Sequence, residues 1–195
     1  MENNYLLAKK ALENHQVIAF PTETVFGLGV YYDDEEAYQL LNKIKRRRED
    51  KPYTLMLSNV DQISKYAYIE KKQLDGLKTF MPGPVTLLLK CKDSVPGYVT
   101  HYTGVIGVRV PANKEALNLL KYLGKPLLVP SANRADEKPA MNDAEVKQIF
   151  QDEIAEIIPG QSVGGLPSTI IDLTGLEIKL VRQGPISLED IKKAL

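Results

Sequence analysis

The densest chemistry in this sequence is KIKRRREDKP, residues 43–52, where six cations fall within ten residues of a chain whose formal net charge is zero. A solvated helix end, a nucleic-acid patch and a polyphosphate pocket would each use such a run. Cations at a helix C-terminus complement its dipole, so part of the run needs no ligand. If the helix ends near Lys45, residues 45 and 47 point the same way in an extended tail.

A second group of polar residues follows apolar runs that stop at proline: VIAF-PTET, GVRV-PAN and LLV-PSAN. Proline cannot donate to a sheet ladder, so each strand ends there and the chain turns out. Thr22, Glu23 and Thr24, then Ser131 and Asn133, therefore sit at strand ends, where open α/β sheets bind ligands. The same residue types also cap helices and turns, which is the plainer use of any one cluster.

Arg109 is more pointed. In VIGVRVP a period of two puts Ile106, Val108 and Val110 on one face and Val105, Gly107 and Arg109 on the other. A guanidinium inside an apolar strand requires a partner: an Asp or Glu of the chain, or a bound carboxylate or phosphate held by its planar fork. Gly107 beside it leaves room for a ligand to approach.

These residues need elements to hold them. Helical spacing at Leu7, Ala8, Ala11 and Leu12 predicts a first helix, followed by the VIAF strand. DDEEAYQLLNKIKRRR predicts a helix capped by Asp33 or Asp34, with Ala37, Leu40, Leu41 and Ile44 on one face. TLML (54–57) predicts a strand, and helical material then runs to MPGP, which must break it. VTLLLKC, GVIGVRVP and PLLVP predict strands, and NKEALNLLKYLG a helix closed by Gly124. NDAEVKQIF predicts a capped helix. STIIDLT and EIKLVRQ predict a strand pair turning at Gly175, and SLEDIKKAL a last helix capped by Ser187. Strands alternating with helices early and pairing locally late predict an α/β domain with a twisted, open mixed sheet flanked by helices. No linker divides the chain, so residues 1–195 are expected to form one domain.

Composition narrows the function classes. Lys+Arg and Asp+Glu are 25 each, so overall charge points to no nucleic-acid partner, and any basic surface is local. The single cysteine, Cys91, permits no internal disulfide and reads as a packed thiol. No apolar run approaches the roughly 20 residues a membrane helix needs. The first residues lack a signal peptide's basic lead, so a cytoplasmic protein is expected. There is no GxxxxGK[ST], and GLGV lacks the third glycine of GxGxxG. His15 and His101 have no metal-ligand spacing around them, and no Cys–His or Ser–His pattern offers a nucleophile. The residues alone lead to an electropositive cleft at strand ends that holds an anionic ligand.

FPTETVFGLGV, the K-x-R of Lys45 and Arg47, MPGPVTLLLK, GVRVP and PSAN occur in this order, and together they resemble the YrdC-like family. The resemblance runs from about Leu6 to Gly184. It implies a twisted open α/β sheet with a large electropositive concavity. It also implies an L-threonylcarbamoyladenylate synthase of the short form, which joins ATP, bicarbonate and L-threonine and releases pyrophosphate. Magnesium would enter with ATP. The product would pass to a partner transferase that modifies tRNA. Carried over motif by motif, Lys45, Arg47, Ser131, Asn133 and Arg182 are implied ATP contacts. Thr24, Arg109 and Ser168 are implied threonine contacts. Met56, within PYTLM, stands where long members carry a histidine. The resemblance also includes a sister branch for which direct contact with tRNA or double-stranded RNA, without catalysis, is the implied alternative.

Overall fold

The computed structural model describes residues 2–46 and 52–195. In chain order its principal elements are α1 (Glu2–Glu13), β1 (Ile18–Phe20), β2 (Gly27–Tyr31), α2 (Glu35–Lys45), β3 (Thr54–Met56), α3 (Ile63–Tyr66) and α4 (Lys71–Leu77). There follow β4 (Val85–Lys90), β5 (Val105–Arg109), α5 (Lys114–Leu123), β6 (Leu127–Leu128), α6 (Asp143–Phe150), β7 (Glu156–Ile157), β8 (Thr169–Asp172), β9 (Lys179–Arg182) and α7 (Leu188–Ala194). The helix boundaries follow local rules. Asp34, Asn113, Asn142 and Ser187 each accept a backbone N–H of the first turn, as Ser, Asn and Asp do at an N-cap. Gly124 closes α5 with φ of 68°, a left-handed conformation that costs glycine little.

The strands form one sheet in the order β7-β1-β2-β6-β3-β5-β4-β8-β9. Pairs β1/β7, β3/β5 and β4/β8 are parallel, and the rest antiparallel, so the sheet is mixed as expected. Period-2 alternation divides the residues between two cores. Ala19, Leu28, Leu55, Leu87, Val108 and Ile171 pack with residues of α2, α3, α4, α6 and α7 on one face. Ile18, Phe20, Met56 and Leu127 pack with α1 and α5 on the other. This second core includes no residue of β4, β8 or β9. The sheet is therefore covered on one side along its length, and on the other only over its β1–β6 half.

Two strands depart from the sequence reading. GLGVY is β2, an interior strand between β1 and β6, and not a remnant of a nucleotide fingerprint. Its glycines are there for packing: a Cβ on Gly29 would lie 2.9 Å from Phe20 Cε1 and 3.1 Å from Leu127 Cδ1, and one on Gly27 2.5 Å from Val129 Cγ1. Glycine is a weak strand former, so local propensity concealed the element. β7 is a two-residue edge held by pairing with β1 and has no pattern of its own. Helix α2 ends at Lys45, with Arg46 left-handed (φ 51°) as its cap, earlier than the DDEEAYQLLNKIKRRR pattern implied.

Overpacking a full core costs about 1–3 kcal/mol. Gly29→Ala is expected to destabilise the protein by that amount, read as a lower urea midpoint at unchanged m-value.

Candidate functional site

The uncovered half of the second face is the floor of a cavity of about 360 Å³, within the range of small-molecule sites. Thr54, Met56, Thr86, Arg109, Ile170 and Arg182 line it from the strands, and Thr22, Thr24, Ser131, Asn133, Glu137 and Ser168 from the connections. The rule that ligands gather beyond the carboxyl ends of strands holds for part of this site. β1 and β6 deliver Thr24 and Ser131 from their ends. β5 runs antiparallel to β6 through β3, and β4 and β8 contribute Thr86 and Ser168 from their beginnings. In a mixed sheet the site lies across a face, not along one edge. Of the GVRV-PAN run only Arg109 joins it: Asn113, beyond the proline, caps α5.

Arg109 is bound within the protein and also lines the cavity. Its Nη2 donates to Glu23 Oε1 at 2.7 Å and to Thr24 Oγ1 at 3.0 Å, with only 9% of the side chain exposed. Among the described residues, Arg109 Nε and Glu23 Oε2 have no hydrogen-bond partner, so the two side chains meet through one prong of each fork. Thr24 Oγ1 in turn meets Thr22 Oγ1 at 2.9 Å. The 21–26 loop is held from above, where Gly165 N donates to Thr24 O and a Cβ on Gly164 would come within 2.4 Å of Glu23 O.

A second polar group begins at Ser168, whose Oγ lies 2.8 Å from Thr86 Oγ1. Arg182 donates through Nε and Nη2 to Ser168 O at 3.0 and 2.9 Å, and through Nη2 to Ser168 Oγ at 3.1 Å. Gly184 makes this closeness feasible, since a Cβ there would lie 2.3 Å from Thr169 N. Burial, and then the like charge of Arg109, pull the Arg182 guanidinium below its ordinary value.

Lys45 is placed differently from Ser131 and Asn133. It is buried and does not line the cavity, lying behind the 131–135 loop. Its ammonium donates to Ser131 O at 2.6 Å, Asn133 O at 2.8 Å and Asn133 Oδ1 at 3.3 Å. The loop answers in kind: Ala135 N donates to Lys45 O, and Arg134 Nη1 to Ile44 O. Ser131 Oγ also donates to Asn133 Oδ1 at 2.5 Å. Arg47, expected at the nucleotide, lies outside the described residues, as does Arg48; Arg46 is exposed.

Sequence reading did not single out Thr86, Tyr53 or Glu137 for the site, nor Glu23 as the partner of Arg109. Thr86 left a signal, a hydroxyl inside the apolar VTLLL strand. Glu23 left none beyond its neighbours, because 25 acidic residues competed for the role.

Comparison with known proteins bears on what such a cavity belongs to. The family model described as Telomere recombination, covering Sua5, YciO and YrdC, matches residues 10–184. The chain is a member of the Sua5/YciO/YrdC family. It is 34% identical over 191 residues to a protein of Pyrococcus abyssi named threonylcarbamoyl-AMP synthase, covering 97% of this chain and 56% of that one. It is 34% identical over 185 residues to a Vibrio campbellii protein of the same name, covering 93% and 99%. The chain thus spans just over half the length of the first and nearly all of the second. The crystal structure of P. abyssi Sua5 complexed with L-threonine superposes with a TM-score of 0.94 at 33% identity, over 100% of this chain and 58% of that one. A twisted open α/β sheet flanked by helices is the fold this family member shares with it.

Removing the Lys45 ammonium leaves the Ser131 and Asn133 carbonyls without that donor. An unsatisfied buried acceptor costs about 1–3 kcal/mol. Lys45→Met is expected to lower stability by that amount, read as a lower melting temperature and a lower urea midpoint.

Proposed function

We propose that this chain is a threonylcarbamoyl-AMP synthase that forms threonylcarbamoyl-adenylate and pyrophosphate from ATP, bicarbonate and L-threonine. One observation carries the reading: Thr24, Arg109, Ser131, Asn133, Ser168 and Arg182, drawn from distant parts of the sequence, line a single cavity. The names of the relatives and the threonine-bound Sua5 structure support it.

In this reading Arg109 holds the amino-acid carboxylate, with Thr24 and Ser168 reading the polar groups beside it. Ser131 and Asn133 meet the nucleotide from one wall and Arg182 from the other, while Lys45 and Arg47 serve the nucleotide side. Lys45 acts there by clamping the loop that carries Ser131 and Asn133. The threonine amine and bicarbonate condense to a carbamate with loss of water. A carbamate oxygen then attacks the α-phosphorus, and the bond to pyrophosphate breaks. No side chain forms a covalent bond, so the protein's work is to align two anions and to stabilise charge on the leaving group. Arg182, already drawn below its ordinary value by burial and by Arg109, gains from each negative charge brought near it.

Magnesium carried in with the triphosphate would lower the charge that the attacking carbamate meets. The lining residues fit that arrangement. Glu137 is the carboxylate among them, too few for a protein cage, and magnesium usually keeps phosphate oxygens and water as its other ligands. A cytoplasmic location is part of this proposal; among the described residues no helix is long and apolar enough to cross a membrane. The adenylate passes to a transferase complex acting on tRNA. Direct tRNA or double-stranded RNA contact alone, the alternative reading, gives no use for a small-molecule-sized cavity lined by Ser131, Asn133, Ser168 and Arg182.

The test is substrate dependence. Pyrophosphate is expected to leave ATP only when threonine and bicarbonate are both supplied; equal release without threonine would refute the assignment. Arg109→Lys keeps a cation against Glu23 but loses the fork. It is expected to raise the threonine KM about 10- to 100-fold with a smaller effect on the ATP KM, since a charge-assisted bond contributes about 1.5–3 kcal/mol. Ser131→Ala is expected to act on the ATP KM instead, so steady-state kinetics in each substrate separates the two ends.

A further inference from the structure

Two guanidiniums side by side in a cavity make a generic trap for phosphate, which takes bidentate bonds from arginine as readily as a carboxylate does. Arg109 and Arg182 both line this cavity and are close enough for the charge of one to disfavour that of the other. They differ in their partners. Arg182 is held by the neutral oxygens of Ser168. Arg109 carries a full counter-charge, Glu23 Oε1 at 2.7 Å, with both side chains largely buried. Glu23 is absent from the cavity lining, so it does not meet the ligand itself. The packing of residues 164–165 on the 21–26 loop keeps it in place.

Repulsion between Glu23 and a ligand at Arg109 grows in proportion to the ligand's charge. A singly charged carboxylate meets one measure of it, a phosphate dianion two, and a polyphosphate more. The planar fork keeps its geometric advantage for a carboxylate throughout. We propose that Glu23 is a specificity-determining positioning residue: its fixed negative charge behind Arg109 reserves that end of the cavity for a carboxylate and sends phosphate groups to the Arg182 and Ser131 end. Selection by a built-in repulsive element, beside the attractive one, is how sites holding two anions of similar hydrogen-bonding pattern can keep them apart. The identity of the carboxylate as threonine rests on the function proposed above; the discrimination itself does not.

The experiment measures binding of acetate, inorganic phosphate and L-threonine, by NMR titration or calorimetry, to the full chain and its variants, each shown to be folded by its melting curve. Glu23→Gln keeps the shape and an acceptor for Arg109 but removes the charge. The ratio of phosphate to acetate affinity is expected to rise about tenfold or more in this variant. Glu23→Asp is expected to keep the ratio within about twofold of the parent. Adding Arg109→Gln to Glu23→Gln should abolish the gain. A purely structural role would weaken both anions together and leave the ratio where it was. An unchanged ratio in folded Glu23→Gln overturns the proposal, as does a gain that persists without Arg109. Loss of the threonine reading has its own signature: a parent protein that does not bind threonine, while its phosphate-to-acetate ratio still responds to Glu23.

Discussion

A guanidinium in the middle of an apolar sheet is tolerable only if an opposite charge is brought to it, and the structure is arranged around that requirement. Arg109 sits on β5, with β3 and β4 on either side. Its counter-charge, Glu23, belongs to the loop after β1, four strands away, with β2, β6 and β3 between. To reach Arg109 the loop folds over the open face of the sheet, and Thr22 and Thr24 come with it. Breaking a buried pair by removing one partner costs about 3–5 kcal/mol, so the loop's position is tied to the stability of the whole molecule. A ligand that approaches Arg109 meets a side chain already aimed, with little left to order on binding.

The same logic governs Lys45. A buried ammonium needs oxygens, and it finds them in the carbonyls of Ser131 and Asn133. The reciprocal bonds from Ala135 and Arg134 to the end of α2 make the contact a clasp between helix and loop. One member of the cation-rich run thus works inside the protein, setting the wall that carries Ser131, while its neighbour Arg46 faces solvent. The question of why a neutral chain gathers cations there has at least two answers, one for each direction the side chains take.

Both devices depend on incomplete coverage of the sheet. α1 and α5 seal the second face over β1 to β6 and stop, while the opposite face is covered along its length. The strands beyond supply backbone rigidity without a hydrophobic lid, so polar groups such as Thr86 and Arg182 can stand on a firm floor. Sites on strands hold their geometry better than sites on loops alone, and here the loops are themselves bound to the strands.

Much of this was legible from local pattern. Caps at Asp34, Asn142 and Ser187, the stop at Gly124, the period-2 face of Arg109 and the hydroxyls after prolines act over a few residues, and sequence records such interactions directly. The motif resemblance added Ser168 and Arg182, which line the cavity, and suggested the reaction proposed above. What local pattern could not carry was pairing across the chain. That Glu23, and not another acid, meets Arg109 follows from the strand order. The inward turn of Lys45 follows from the docking of α2 on the 131–135 loop. GLGVY became a strand by pairing with β1 and β6, and Phe20 and Leu127 left no room for a side chain at Gly29, a tertiary arrangement that overrode glycine's poor propensity. Short-range energetics were written in the sequence, whereas the choice among equivalent charges and the use of small residues were decided only when distant strands came into register.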